Sequence, residues 1–232
     1  GLIMAGGPQS FGAGGWIGWH SNARGAQPLE IENGAAVSRS PWWIDYNHAP
    51  PGGGYLHLLF VLYTGHGARP YETMSGPNRF VRGGFPTNFT NARLTARLKG
   101  ELKPRGAELV LLAQAKVGEV YVNYVLMGQP LHVTRDWSEQ TITLAPDPQQ
   151  WKCLGARHDR TESYGWGEIA DVLRDLNNDI IFVLHPLDVV PLERLNDDMH
   201  RLKAGEDYAV DQSRLPEGYV MLDKVRIEFG DD

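Results

Sequence analysis

An all-β sandwich of two packed antiparallel sheets, with one short helix near residues 168–176, is the fold class this sequence predicts. Three observations predict it. Short β-prone apolar runs are separated by turn residues, and the 27 Gly and 15 Pro are spread between the runs rather than gathered into a linker. Several runs alternate apolar and polar positions with the period of two of a half-buried strand. Only Glu168–Leu176 departs, placing Ile169, Val172, Leu173 and Leu176 at i, i+3, i+4 and i+7 on one helical face. At 232 residues the chain has a length that all-β sandwiches reach as one unit. The expected organisation is a loose Gly-rich segment over residues 1–15 and a single domain over residues 16–232.

The elements follow in order. Trp16–His20 opens the first strand, and Leu29–Ile31 and Ala35–Val37 flank Asn33-Gly34, a pair that favours the primed turn of a hairpin. The loop Pro41–Gly54 carries Trp42, Trp43, Asp45, Tyr46, Asn47 and His48, and Tyr55–Tyr63 then runs apolar as a strand. Arg69–Thr87 is polar and rich in Gly and Pro, the composition of a long surface loop. In the next strand Leu94, Ala96 and Leu98 alternate with Arg93, Thr95, Arg97 and Lys99. Glu108–Lys116 puts Leu109, Leu111 and Ala113 on one face and Val110, Leu112 and Gln114 on the other. Val120–Met127 and Thr141–Leu144 are further strands, and Pro146, Pro148 and Trp151 mark a loop. The helix leads into the apolar strand Asp179–Val190, and Tyr219–Phe229 alternates as the last strand.

Composition narrows the function classes. With 22 Lys and Arg against 28 Asp and Glu the formal charge is −6, and no basic run interleaves with aromatics, so nucleic acid is not an expected partner. Apolar runs such as Ile180–Leu184 are too short to span a membrane, and Gly1–Gly7 has neither the basic start nor the apolar length of a signal peptide. The single cysteine, Cys153, excludes an internal disulfide and a cysteine-based zinc cluster. Both a secreted and a cytoplasmic location stay open, as does the oligomeric state. No Gly-x-Ser-x-Gly elbow, P-loop or dinucleotide fingerprint occurs, and no organic cofactor is expected.

The unit GEIADVLRDLNNDIIFVL at residues 167–184 and the closing GYVMLDKVRIEF at residues 218–229 resemble the galactose-binding-like jelly rolls, in particular the laminin IV (laminin B) branch. The order matches too: a Trp-bearing opening strand, the Gly54-Tyr55-Leu56-His57-Leu58 strand, a Trp-marked segment from Trp137 to Trp151, then the short helix and apolar strand. The resemblance implies a jelly roll that binds rather than reacts, often to sugars. It further implies a structural calcium with Asp223 among its ligands, joined by Glu30 or Glu32. The WWIDYNH loop and the His158–Arg160 cluster depart from the laminin pattern.

Three candidate sites stand out. In the loop, Trp42, Trp43 and Tyr46 offer aromatic faces and Asp45, Asn47 and His48 offer hydrogen bonds to hydroxyls, the chemistry of sugar recognition. The other reading is that Trp42 and Ile44 are core and that Asp45 and Asn47 shape a turn. The second candidate is a sheet face. If Leu56, Leu58, Phe60 and Leu62 point inward, His57 points outward beside Tyr55, and Gln114, Tyr121, Asn123 and His185 fall opposite their strands' most apolar sets. These side chains converge on one patch, or else they are scattered and the histidines are satisfied in the core. The third is Ala156–Arg160, where His158 with Asp159 offers a general base and the arginines an anion clamp, or where the charges form a solvated turn.

The leading expectation is a non-catalytic carbohydrate-binding module with Trp42–His57 as its contact surface. The alternative is an enzyme acting on a glycan or small polar molecule, with His48 or His158 as base beside Asp45 or Asp159. The third is an adhesion module with a protein partner, recognised by a broad flat aromatic patch.

Overall fold

The structure, a computed structural model, describes residues 9–12, 15–21, 24–47, 53–65, 77–157, 162–195 and 202–230. Its strands are β1 (Gln9–Gly12), β2 (Gly18–Ser21), β3 (Gly25–Gln27), β4 (Glu30–Glu32), β5 (Ala35–Arg39), β6 (Ile44–Asn47) and β7 (Gly54–Tyr63). After helix α1 (Arg79–Arg82) come β8 (Ala92–Lys103), β9 (Glu108–Val117), β10 (Val120–Leu126), β11 (Ser138–Leu144) and β12 (Trp151–Cys153). Helix α2 (Ile169–Arg174) precedes β13 (Asp179–His185) and β14 (Glu217–Glu228).

Two sheets form the sandwich. The first has the order β11-β8-β14-β5-β4, with β1 on the second half of β14, and the second has the order β12-β10-β9-β13-β7-β6. The chain crosses from β5 to β7, back to β8, over to β9 and β10, back to β11, over to β13 and back to β14. That alternation, with every one of these strands paired antiparallel to its neighbours, is the jelly-roll winding. Residues of both sheets share one apolar core, from Trp16 through Leu59, Leu94, Leu111 and Phe182 to Ile227. Trp16 stacks on Phe182 at 5.4 Å between ring centroids and meets Phe60 edge-on at 6.5 Å.

Local chemistry explains the regular elements. Asn33 and Gly34 take φ of 50° and 81°, the left-handed pair that a two-residue primed turn requires, and they join β4 to β5. β9 alternates as its sequence dictates, with Leu109, Leu111 and Ala113 in the core and Val110 and Leu112 on the opposite face. Helix α2 buries Ile169, Val172 and Leu173 within the predicted segment.

Several expectations are corrected. The N-terminal segment is not all loose, because Gln9–Gly12 pairs with Lys224–Ile227 along the part of β14 that extends past β5. The loop expected over Arg69–Thr87 contains α1, capped by the Asn78 side chain on Val81 N–H, with Phe80 and Val81 buried. Its residues 69–76 lie outside those described. Trp151 is not a loop marker but opens β12, which pairs with β10, and its indole N–H donates to the Ala145 carbonyl. The strand expected over Asp179–Val190 stops at His185, before Pro186.

The correction with most consequence for function lies in β7. Phe60 pairs with Phe182 and Leu58 with Val183, so Leu59 is an extra residue in the ladder, and Leu59 and Phe60 both enter the core. One inserted residue exchanges the faces of everything before it. Leu56 and Leu58 therefore turn outward with Val61 and Tyr63, and His57 turns inward, the reverse of the expected arrangement.

A polar row in a cavity on the second sheet

The outward face of the second sheet is the floor of a cavity of about 410 Å³, within the size range of small-molecule sites. Register sets the floor row by row. Asn123 on β10 pairs with Gln114 on β9, Gln114 with Asp179 on β13, and Asp179 with Tyr63 on β7, so four polar side chains cross the sheet in one line. Two residues further along, the line is apolar: Val125, Leu112, Ile181 and Val61. The floor thus offers hydrogen-bonding groups along one edge and hydrocarbon along the next.

The corner before β13 is pinned on two sides. Asn177 donates from its amide to the Lys116 carbonyl at 3.0 Å and accepts from Lys116 N–H at 2.8 Å, while Thr64 N–H donates to the Asn178 carbonyl at 2.9 Å. These bonds fix the head of β13, where Asp179 is buried at the cavity floor. Asp179 is 5% exposed and its Oδ1 has no hydrogen-bond partner among the described residues. Burial pushes this carboxyl up to about 7, against a hydrogen bond from Asn178 that pulls it down. Such a group in a cavity marks a candidate functional site.

The walls come from the other two regions that the sequence singles out. Asp45, on β6, lines the cavity and receives Arg157 in a two-point ion pair, Nη2 to Oδ1 at 3.0 Å and Nη1 to Oδ2 at 3.3 Å, with both side chains largely buried. The Arg157 guanidinium also lies 5.4 Å from the centre of the Tyr164 ring, and Tyr164 meets Tyr121 at 5.5 Å. Trp19 from β2 and Leu154 complete the walls.

Of the expected site residues, then, Asp45, Gln114, Tyr121 and Asn123 are brought together. Trp42, Trp43, Tyr55, His57 and His185 are not. Trp42 packs against the core and donates to Ser38 Oγ at 2.9 Å, and Trp43 donates to Glu206 Oε1 at 2.8 Å. Tyr55 packs against the same core. His57 is 1% exposed, contacts Trp42, and donates from Nδ1 to the Trp43 carbonyl at 2.9 Å. Burial lowers its pKa to about 4, so it is neutral at ordinary pH. His185 donates from Nε2 to the Gly53 carbonyl at 3.1 Å, under Gly54, where a Cβ would sit 2.8 Å from that nitrogen. Burial lowers its pKa as well. Tyr46 and Asn47 belong to β6 by backbone pairing, but their side chains lie outside the described residues, as do His48, His158 and Asp159.

The proposed calcium ligands meet arginines instead. Asp223 is the bulged residue where β14 crosses from Leu98 to Arg97, and it pairs with Arg97. Glu30 and Glu32 pair with Arg39. Glu32 and Asp223 border one depression, but Arg39, Arg97 and Lys99 border it too, so a cation there meets three like charges. Among the described residues no group of three His, Cys, Asp or Glu side chains is placed to hold a metal. Among the described residues no helix is long and apolar enough to cross a membrane.

Sequence reasoning missed Trp19, Tyr63, Tyr164 and Asn178 as lining residues, and Asp179 with its unpartnered Oδ1. Asp179 carried a signal: it is an acid at the head of the apolar strand Asp179–His185, every residue of which is buried.

No protein-family model matches the sequence. No curated protein matches it either. Among solved structures, a chain of the cryoEM structure of Mud Crab Dicistrovirus is similar at 14% identity, covering 99% of this chain and 72% of that one, with a TM-score of 0.15. A likeness at that level carries no argument about fold or function, and the functional reading rests on the geometry of the cavity.

Proposed function

We propose that the chain binds a carbohydrate in the cavity on the outward face of the second sheet. The observation that carries this reading is the line Asn123, Gln114, Asp179, Tyr63 beside the apolar line Leu112, Ile181, Val61. Planar amides and a carboxyl match hydroxyl groups in pairs, while the adjacent hydrocarbon and the Tyr121, Tyr164 and Trp19 rings match the apolar face of a pyranose. Neither the Gln114 nor the Asn123 amide hydrogen-bonds to another described side chain, which leaves both for a ligand. The likeness of residues 167–184 and 218–229 to galactose-binding-like jelly rolls points the same way.

Calorimetry against a panel of monosaccharides and soluble polysaccharides tests this reading. Binding is expected to weaken about tenfold or more in Gln114→Ala and Asn123→Ala, the loss of one or two good hydrogen bonds each. Trp42→Ala and Trp43→Ala are expected to leave it unchanged. Absence of binding to every member of the panel, or dependence on Trp42 and Trp43 instead of Gln114 and Asn123, sinks the proposal.

A second reading, turnover of a glycan, is favoured by the Asp179 carboxyl, raised to about 7 and therefore poised to give or take a proton near neutral pH. Product release from a glycan, abolished in Asp179→Asn, supports it; binding without turnover leaves the module reading.

A further inference from the structure

We propose that the cavity selects a ligand bearing a protonated amine, whose ammonium group pairs with Asp179. This deepens the carbohydrate reading and rests on it for the location of the site.

The argument starts from the charges in the cavity. Among the described residues three charged side chains line it, and two of them, Asp45 and Arg157, pair with each other through two short contacts. Asp179 is left with a buried oxygen that has no partner among the described residues. A buried carboxylate without a counter-ion is costly, and the cost is recovered when a cation of matching geometry arrives. Burial already holds this carboxyl above the ordinary range, so its ionised form is the one a cation rescues.

Two further features fit an ammonium group. It has three donors and no acceptor. Asp179 and Gln114 are cross-strand neighbours, about 4.8 Å apart across the sheet, so a donor group above them reaches both the carboxylate and the amide oxygen. The wall rings suit cations as well: Tyr164 already lies under Arg157, and Tyr121 has the Lys116 ammonium 5.9 Å from its centre. A neutral hydroxyl uses the same acceptors but leaves the charge of Asp179 unmet. Among the described residues the titratable groups that line the cavity with Asp179 are Tyr63 on β7, its cross-strand neighbour, Tyr121 on β10, Tyr164, and the Asp45–Arg157 pair.

The test uses calorimetry on the intact chain near pH 7 with D-glucosamine and D-galactosamine, their neutral parents, their N-acetylated forms, and 1,4-diaminobutane. Amino sugars are expected to bind at least about tenfold tighter than the neutral and acetylated forms. Asp179→Asn is expected to erase that difference, and Gln114→Leu to reduce it. Carbon-13 NMR of the unsubstituted protein supplies a readout that does not depend on any variant folding: saturation with amino sugar should move the Asp179 carboxyl titration to lower pH. Equal affinity for amino and neutral sugars, a preference that survives Asp179→Asn, or an unmoved titration overturns the amine inference and leaves the carbohydrate reading in place. Tight Asp179-dependent binding of 1,4-diaminobutane, with the sugars binding no better, supports the ammonium pairing and overturns the sugar frame. Silence from every probe overturns both.

Discussion

The outward faces of the two sheets carry depressions of similar size, about 430 Å³ on the first and 410 Å³ on the second, and both are lined by aromatic and charged side chains. They differ in how their polar groups are answered. On the first sheet Arg39 meets Glu30 and Glu32 and lies over Tyr219, while Arg97 meets Asp223 and lies with Lys99 over Trp137. Asp223 keeps one oxygen unpartnered, but its charge is met. On the second sheet the Asp45–Arg157 pair closes the wall, and the floor keeps a buried carboxyl, with one oxygen unpartnered among the described residues, beside the Gln114 amide. Residue type alone does not separate a solvated ion-pair face from a recognition site. Satisfaction does, because a group already paired has little left to offer a ligand.

The largest effect expected from breaking this contrast comes from the wall. Arg157→Met removes the guanidinium that pairs with the largely buried Asp45 and should cost about 3–5 kcal/mol in urea unfolding, whereas adding Asp45→Leu in the same chain should recover most of the loss. A single variant that unfolds at the wild-type midpoint would show that the pair closes nothing.

Next comes the floor. Asp179 has a folded-state pKa of about 7, above the ordinary carboxylate value of 3.8. Between those values the folded state holds the proton more tightly than the unfolded state, so stability falls as pH rises from about 4 to about 7 and levels off above. Asp179→Asn removes that slope. It should match wild type below pH 4 and be more stable by about 1–3 kcal/mol at pH 8, the penalty of a buried unpaired group. Parallel pH profiles for the two proteins would contradict this.

The smallest effect belongs to the first sheet. Arg39→Gln breaks pairs between half-exposed side chains, and the melting temperature should not move measurably. A clear drop would mean that this face is organised rather than solvated.

Much of the fold was legible because the deciding interactions are local. The Asn33-Gly34 turn needs positive φ at both positions, and Ile169, Val172 and Leu173 need only a helix to share one face, although α2 ends at Arg174, before the Leu176 of the expected pattern. The alternation of β9 likewise follows from strand geometry. The face of His57 was not legible, since it depends on a bulge at Leu59 set by pairing with Phe182, more than a hundred residues away in the chain. Nor were β1 and β12, short segments whose strand character comes from the edges they complete on β14 and β10.

The candidate site divides in the same way. By itself the sequence determined which regions carried chemistry: the Asp45 loop, the polar positions of β9 and β10, and the Arg157 cluster each supply a lining residue. Only the tertiary structure decided that they form one cavity, that Trp42, Trp43 and His57 turn away from it, and that Asp179 is buried at its floor with Oδ1 unpartnered among the described residues. The reason is register. Asn123, Gln114, Asp179 and Tyr63 lie in one line because three antiparallel pairings between separate strands align them, and no local pattern encodes that alignment.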